Sequence, residues 1–149
     1  MAVARLKVDV RQLLLDSFKN PDFSACPCGD NMLQWIGTIR GGKGTAYEGR
    51  EYKLMLDFPS TYPQKPPVVK FKTPCYHPNV DQQGNICLDI LKENWSSSYD
   101  VRTILLSIQL LLGEPNNDSA LNAEAAKFWN KEVYQKKLEK FEKEMAAKY

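Results

Sequence analysis

Apolar and polar residues change their period twice along this chain. From Val3 to Phe18, Leu6, Val10, Leu13 and Leu14 recur at helical spacing, and Arg5, Asp9, Arg11, Gln12 and Asp16 lie largely off that stripe. This predicts an opening helix. Its basic residues Arg5, Lys7 and Arg11 read either as a docking surface or as an ordinary solvated face. Lys19-Asn-Pro-Asp22 breaks the helix. The period then drops to two. Phe23 to Cys28 reads as a short edge strand, because Pro27 has no N–H to give a central ladder. From Met32 to Arg40, Leu33, Trp35 and Ile39 alternate with Gln34, Thr38 and Arg40. Tyr52, Leu54, Leu56 and Phe58 alternate with Glu51, Lys53 and Asp57, and Val69 and Phe71 with Lys70 and Lys72. Strands with short connections and one apolar face predict an antiparallel meander with its wet face outward.

The helical period returns after the middle of the chain. Asp100 is the N-cap of a helix over Val101 to Leu112, with Gly113 as its stop and Pro115 just beyond. Ile104, Leu105, Ile108, Leu111 and Leu112 give it a broad apolar face to lay on the sheet. Asn122 caps a short helix through Trp129, and Asn130 ends it. Glu132 to Lys148 forms a last helix on which Val133, Leu138, Phe141 and Met145 make a partial stripe. Helix, strands, then helices is an α+β order. Two loops invite other readings. Gly41-Gly-Lys43-Gly44 resembles a phosphate loop only until Gly44 takes the place of Ser or Thr, so it reads as a flexible reversal. Pro63-Gln-Lys-Pro66-Pro67 reads as a stiff connector between strands.

Composition narrows the class. A length of 149 residues fits one domain, and a chain of this size buries roughly 70% of its extended surface, enough to fold without disulfides or metals. The net charge of +2 comes from interspersed charges of both signs, which argues against a nucleic-acid binder. No apolar run approaches the ~20 residues of a membrane span, and the first residues lack the apolar block of a signal peptide. Four cysteines without a repeat are too few for a disulfide scaffold. These features predict a reduced, soluble protein of the cytoplasm or nucleus.

Reactive chemistry concentrates in Thr73-Pro-Cys75-Tyr76-His77-Pro-Asn79-Val-Asp81-Gln-Gln-Gly84-Asn-Ile-Cys87-Leu-Asp89-Ile-Leu91, which holds the single histidine and two of the four cysteines. Zinc is disfavoured because Cys26-Pro-Cys28 and Cys75-Tyr-His77 have one-residue gaps instead of paired knuckles. Cys26 and Cys28 read as small apolar residues of the edge strand. A cysteine hydrolase would need His77 as base, and His77 is held in a turn by Pro78 with no orienting acid in view. On the residues alone Cys87 reads first as buried filler or acyl carrier, with metal ligand and hydrolase nucleophile the less favoured readings; Cys75 reads as filler. The polar surroundings of Cys87, Gln82-Gln-Gly-Asn85, suit an approachable thiol. A free thiol near pKa ~8.5 is a few per cent thiolate at neutral pH, enough to exchange with an incoming thioester. Passing the acyl group to a lysine then calls for an oxyanion donor, for which Asn79 is a candidate. It also calls for negative charge near the amine, for which Asp81, Asp89 and Asp118 are candidates.

These residues resemble the signature of ubiquitin-conjugating enzymes. His77-Pro78-Asn79, Gly84-Asn-Ile-Cys87-Leu-Asp-Ile-Leu91 and Trp95 match it. Phe58-Pro59-Ser-Thr-Tyr62-Pro63-Gln-Lys-Pro66-Pro67 matches upstream, and Leu112-Gly-Glu-Pro115-Asn116 downstream. The resemblance covers essentially the whole chain. It implies that residues 1–149 are one catalytic core domain with an N-terminal helix, a four-stranded antiparallel meander, a central helix and two C-terminal helices. It implies that Cys87 accepts ubiquitin from the activating enzyme as a thioester. Ubiquitin then passes to a lysine of a substrate or of another ubiquitin, usually with a ligase. No cofactor is implied, since the partner activating enzyme consumes the ATP.

The resemblance also assigns roles. Asn79 matches an asparagine that supports the oxyanion or the active-site loop. His77 matches a structural histidine, with Tyr76 and Asp81 in the same loop, and Asp89 an acidic residue beside the cysteine. Asp118 and Ser119 fall at the gate that activates the acceptor lysine, where many members carry Asp in place of Ser119. Thr103, Leu106, Ser107 and Leu110 match the face that holds donor ubiquitin, and Ser24 a second ubiquitin contact on the back of the sheet. Arg5 and Lys7 belong to the helix that docks the activating enzyme and ligases. Gln64, Ser97 and Ser98 stand in the ligase loops, where an aromatic residue and a Pro-Ala pair are common. Thr73 to Asp81, Asp89-Ile-Leu-Lys-Glu and Tyr99 to Gln109 look closest to the mitotic, cyclin-selective branch that works with the anaphase-promoting complex. That implies a cell-cycle role for a monomer of the cytoplasm and nucleus.

Overall fold

The computed structural model describes residues 2–17, 19 and 22–148. Helix α1 (Ala2–Ser17) leads into strands β1 (Phe23–Cys28), β2 (Asn31–Arg40), β3 (Glu51–Asp57) and β4 (Val68–Phe71). Helices α2 (Val101–Gly113), α3 (Ala123–Phe128) and α4 (Tyr134–Lys148) follow, with 3₁₀ turns at Asp89–Leu91 and Asn117–Ser119. The strands pair antiparallel in chain order, as the alternating pattern requires. Pro27 sits on the edge strand at a register shift. Trp35 pairs with Leu56 and Leu56 with Val69, so one cross-strand row is wholly apolar and buried. The α1 and α2 helices pack against β1 and β2.

All five apolar residues expected to face the sheet from α2 are buried. Asp100 accepts a hydrogen bond from the Thr103 N–H at 2.8 Å, the N-cap its position predicted. Gly113 does not stop the helix; it is the last helical residue, and Glu114 caps by donating its N–H to Leu110 and Leu111. Glycine allows a close approach there, since a Cβ would stand 2.8 Å from Thr45 Cγ2 and force a shift. Thr45 belongs to the 41–50 connection, which is no loose reversal. Tyr47 in it is fully buried, and a Cβ on Gly41 would collide with the Tyr47 carbonyl at 1.9 Å.

The expected stripe of α1 is shifted. Ala2, Leu6, Asp9 and Leu13 face inward, while Leu14 is 59% exposed. Spacings of four, three and four residues put Asp9 at the centre of that face, and its polarity is what hid it. At the far end, Asn122 caps α3 through the Ala125 N–H at 3.1 Å, and Asn130 turns the chain at φ 61°. The α4 helix begins at Tyr134, later than expected, and buries Tyr134 and Leu138 while Val133 stays exposed. Arg50 ties this helix to the 41–50 connection by an ion pair with Glu142 at 2.9 Å.

Candidate active site

The 73–91 stretch has almost no regular structure, yet it is fastened at close intervals. Phe71 N–H donates to the Gly84 carbonyl at 2.9 Å. Gly84 has φ +86°, and a Cβ there would lie 2.2 Å from the Phe71 carbonyl oxygen, so only glycine permits this seam. Asp81 closes the turn before it: Oδ1 accepts from the Gln83 and Asn85 N–H groups at 2.9 and 2.8 Å, and Oδ2 from Asn85 Nδ2 at 2.8 Å. Burial works to raise the Asp81 pKa, but these hydrogen bonds and Lys70 together outweigh it and hold the carboxyl below its usual range.

His77 is fully buried. Its Nδ1 accepts from the Asn79 N–H at 3.0 Å, so Nε2 carries the proton and donates to the Leu111 carbonyl at 2.8 Å. Burial pushes its pKa down to about 4, against the weaker pull of the Leu111 and Leu112 backbone. The neutral ring is a strut between the loop and the end of α2, packed against Tyr47 and Trp129.

Asn79 is also fully buried, and its whole amide is engaged. Nδ2 donates to the Asn116 carbonyl at 2.7 Å and the Ser119 carbonyl at 3.1 Å, and Oδ1 accepts from the Asn116 N–H at 2.8 Å. Its own carbonyl accepts from the Cys87 N–H at 2.9 Å. One residue therefore holds the thiol's backbone and the 116–119 turn together. Asn116 enters the sequence reading only as the end of the Leu112 to Asn116 match, with no role given; its place after Pro115 in a turn was the available signal. Asn116 Oδ1 also accepts from the Asp118 N–H at 3.1 Å.

The four cysteines are free and separate in setting. Cys75 is buried, and burial drives its thiol pKa up, which keeps it protonated. Cys26 lies exposed on the outside of β1 instead of packed, and Cys28 is half-buried. Cys87 is half-buried between the Asn79 anchor and the 3₁₀ turn at Asp89–Leu91. Asp89 is exposed and accepts from Asn94 Nδ2 at 2.8 Å. Asp118 and Ser119 are exposed in their 3₁₀ turn. Among the described residues, no three His, Cys, Asp or Glu side chains converge to hold a metal ion.

The remaining expected site residues fall in several places. Tyr76 turns toward α4: its carbonyl accepts from the Tyr47 and Tyr134 hydroxyls, and its ring meets Phe141 at 5.5 Å. Thr103, Leu106, Ser107 and Leu110 share one face of α2, with Leu110 61% exposed. Ser24 is exposed on the outer sheet face, paired across to Thr38. Lys7, Gln64, Ser97 and Ser98 are exposed. Arg5 is not a free surface charge, since its guanidinium bonds to Asp9 and to the carbonyls of Ser97 and Tyr99.

Comparison with known proteins decides the family. The family model for ubiquitin-conjugating enzyme matches residues 5–145. The chain belongs to the ubiquitin-conjugating enzyme family. It is 52% identical over 129 residues to the ubiquitin-conjugating enzyme E2-20 kDa of Schizosaccharomyces pombe, covering 86% of this chain and 72% of that one. It is similar to the solved E2 domain of a Toxoplasma gondii ubiquitin conjugating enzyme, with TM-score 0.83 and 36% identity over 94% of this chain and 95% of that one. Ubiquitin-conjugating enzymes are transferases with a thioester intermediate, and they work with ubiquitin, an activating enzyme and ligases.

Proposed function

We propose that Cys87 is the residue that carries ubiquitin. Its thiolate attacks the thioester carbonyl presented by the activating enzyme, whose own cysteine leaves as thiolate. A neutral acceptor lysine amine later attacks the Cys87 thioester, the C–S bond breaks with the Cys87 thiolate as leaving group, and the nitrogen gives up a proton to solvent or to the thiolate. The observation that carries this reading is the setting of Cys87: a half-buried thiol on a segment whose backbone is fixed by the Asn79 carbonyl at 2.9 Å. Cys75 is buried, Cys26 stands on the outer sheet face, and Cys28, half-buried too, is held in the β1–β2 pairing opposite Asn31 instead of on the Asn79 carbonyl.

Asn79 acts in this reading as loop support. Both Nδ2 hydrogens are spent on the carbonyls of Asn116 and Ser119, which leaves neither for an oxyanion unless the turn lets go. His77, neutral and bonded at both nitrogens, serves as a strut. Asp118 and Asp89 are the carboxylates open to an incoming amine. The likeness of the Thr73 to Asp81 and Tyr99 to Gln109 segments to the mitotic branch supports the anaphase-promoting complex as ligase, in a cell-cycle role. The proposal extends to a monomer of the cytoplasm and nucleus that needs no cofactor of its own.

The test mixes the protein with activating enzyme, ATP and ubiquitin and resolves the products with and without reductant. A reductant-sensitive adduct one ubiquitin heavier is expected, and it is absent in Cys87→Ala. An adduct that survives Cys87→Ala overturns the assignment. No adduct with ubiquitin, but one with a ubiquitin-like relative, moves the substrate.

A further inference from the structure

The expected docking residues come from three distant segments: Lys7 on α1, Gln64 in the connector before β4, and Ser97 and Ser98 in the loop before α2. One cluster binds those segments together, and Arg5 is its junction. Arg5 Nε donates to Asp9 Oδ1 at 3.0 Å, Nη1 to the Ser97 carbonyl at 2.9 Å, and Nη2 to the Tyr99 carbonyl at 2.6 Å. The guanidinium carbon lies 5.6 Å from the centre of the Tyr62 ring. Tyr62, fully buried, donates its hydroxyl to the other Asp9 oxygen. Trp95 packs 6.0 Å from Tyr62 and 5.6 Å from Tyr99, and its indole N–H donates to the Pro63 carbonyl at 2.8 Å, one residue before Gln64.

We propose that Arg5 is a positioning residue for partner recognition, one that locks the Ser96–Tyr99 loop onto α1 instead of offering its charge to a partner. Three features carry this. The guanidinium is already committed at Nε, Nη1 and Nη2, and a carboxylate 3.0 Å away neutralises most of the field it would present. Its two loop acceptors flank Ser98, so the fork grips the backbone on either side of a residue expected to meet a ligase. Asp9 is only 3% exposed at the centre of an apolar helix face, a placement that is costly unless the carboxylate is bonded on both oxygens, as it is by Arg5 and Tyr62. A solvated docking face has no need of such a group. Lysine cannot replace arginine here, because one ammonium cannot span three acceptors held in a planar fork.

The inference rests on the reading that the Ser97 and Ser98 loop meets a ligase, so the test separates the two. Arg5→Lys, Arg5→Ala and Lys7→Ala are compared with the unmodified chain by amide hydrogen exchange and by discharge of the ubiquitin-charged protein with the anaphase-promoting complex. The Tyr99 amide, which donates to the Ser96 carbonyl at 3.0 Å, reports the lock directly. Arg5→Lys is expected to behave like Arg5→Ala, with exchange at Tyr99 about tenfold faster, the loss of a charge-assisted contact read as an opening equilibrium. The concentration of charged protein for half-maximal discharge is expected to rise about tenfold while the maximal rate holds, a loss of binding rather than of chemistry. Lys7→Ala is expected to leave Tyr99 exchange unchanged.

Arg5→Lys matching the unmodified chain in exchange and in half-maximal concentration overturns the proposal and makes Arg5 a replaceable surface charge. If the complex fails to stimulate the unmodified chain, the ligase reading falls. The lock is then decided by exchange alone, where a protected Tyr99 amide in Arg5→Lys sinks it and an exposed one sustains it. If Arg5→Ala does not fold, Arg5→Lys carries the comparison.

Discussion

The two halves of the 73–91 stretch are built on opposite plans. From Cys75 to Val80 every residue is buried; from Asp81 to Leu91 only Gly84 and Ile86 are. In the first half the polar side chains of His77 and Asn79 are bonded at every nitrogen and oxygen they own. In the second half stand the half-buried Cys87 thiol and the exposed Asp89 carboxylate. In the reading proposed above, the difference separates frame from working groups. The side chains that look most reactive in the sequence spend their chemistry on architecture, and the thiol is left approachable because it is not part of that architecture.

The largest effect expected from breaking this division is at His77. A histidine buried in neutral form binds its proton only near pH 4, whereas in the unfolded chain it does so near its ordinary value of 6.5. Its folded pKa is depressed, so its contribution to stability is complete above pH ~6.5 and falls away as the pH drops toward ~4, by about 3 kcal/mol in all. Below that the folded state protonates as well and the slope vanishes. Urea unfolding at pH 7 and pH 4.5 should show this loss in the natural protein. A His77→Gln variant should start roughly 2–3 kcal/mol less stable at pH 7, through its unsatisfied partners, and lose much less between the two pH values. Equal pH dependence in both proteins would show that the ring is open to water and place His77 with the working groups.

Asn79 comes next. Asn79→Ala removes the partners of the Asn116 N–H and of two carbonyls, and is expected to cost about 2 kcal/mol. Thioester formation on Cys87 should persist, while transfer to lysine drops. Asn79→Asp sharpens the point. It keeps the acceptor for the Asn116 N–H but turns a carboxylate oxygen toward the carbonyls of Asn116 and Ser119. If Asn79 is frame, Asp is no better than Ala, and amides of the 116–119 turn exchange faster in both. Transfer lost with that turn still protected would restore a direct role at the oxyanion.

Much of this frame was legible in the sequence. Alternation over Glu51 to Phe58 and the helical run from Val101 placed the sheet and α2, because each element buries one regular face and the period records which. Capping residues Asp100 and Asn122 were readable for the same reason: a short acceptor ahead of an apolar run has one local use. What escaped notice depends on partners distant in sequence. Asp9 looked like a solvent-facing residue because one of its two partners is the distant Tyr62, and Arg5 looked like a docking charge because two of its three acceptors lie at Ser97 and Tyr99. The glycines at 41 and 113 read as a reversal and a stop, whereas each makes room for a segment that the sequence does not place beside it. In the site, the importance of Asn79 was visible, but the choice between oxyanion donor and loop support required knowing that Asn116 and Ser119 face it.

The smallest effects concern the carboxylates considered for the acceptor lysine. Asp81, Asp89 and Asp118 are the sequence candidates for the charge beside the acceptor lysine. Asp81 has its carboxylate filled by the Gln83 and Asn85 donors, so Asp81→Asn, which keeps an oxygen for the two N–H groups but turns an NH₂ toward Asn85 Nδ2, should cost about 1 kcal/mol of stability. Asp118 is exposed in its turn, and Asp118→Asn should change stability by less than about 0.5 kcal/mol. Its effect belongs to the transfer step. Discharge of the charged protein to free lysine should slow several-fold in Asp118→Asn, with thioester formation unchanged, and the loss should shrink as the pH rises and the amine deprotonates on its own. A carboxylate that merely shaped the turn would give a loss independent of pH. If Asp118→Asn discharges at the natural rate while Asp89→Asn slows it with that pH signature, the group that receives the lysine sits beside the thiol, two residues along the chain. The turn held by Asn79 would then be a wall of the site and nothing more.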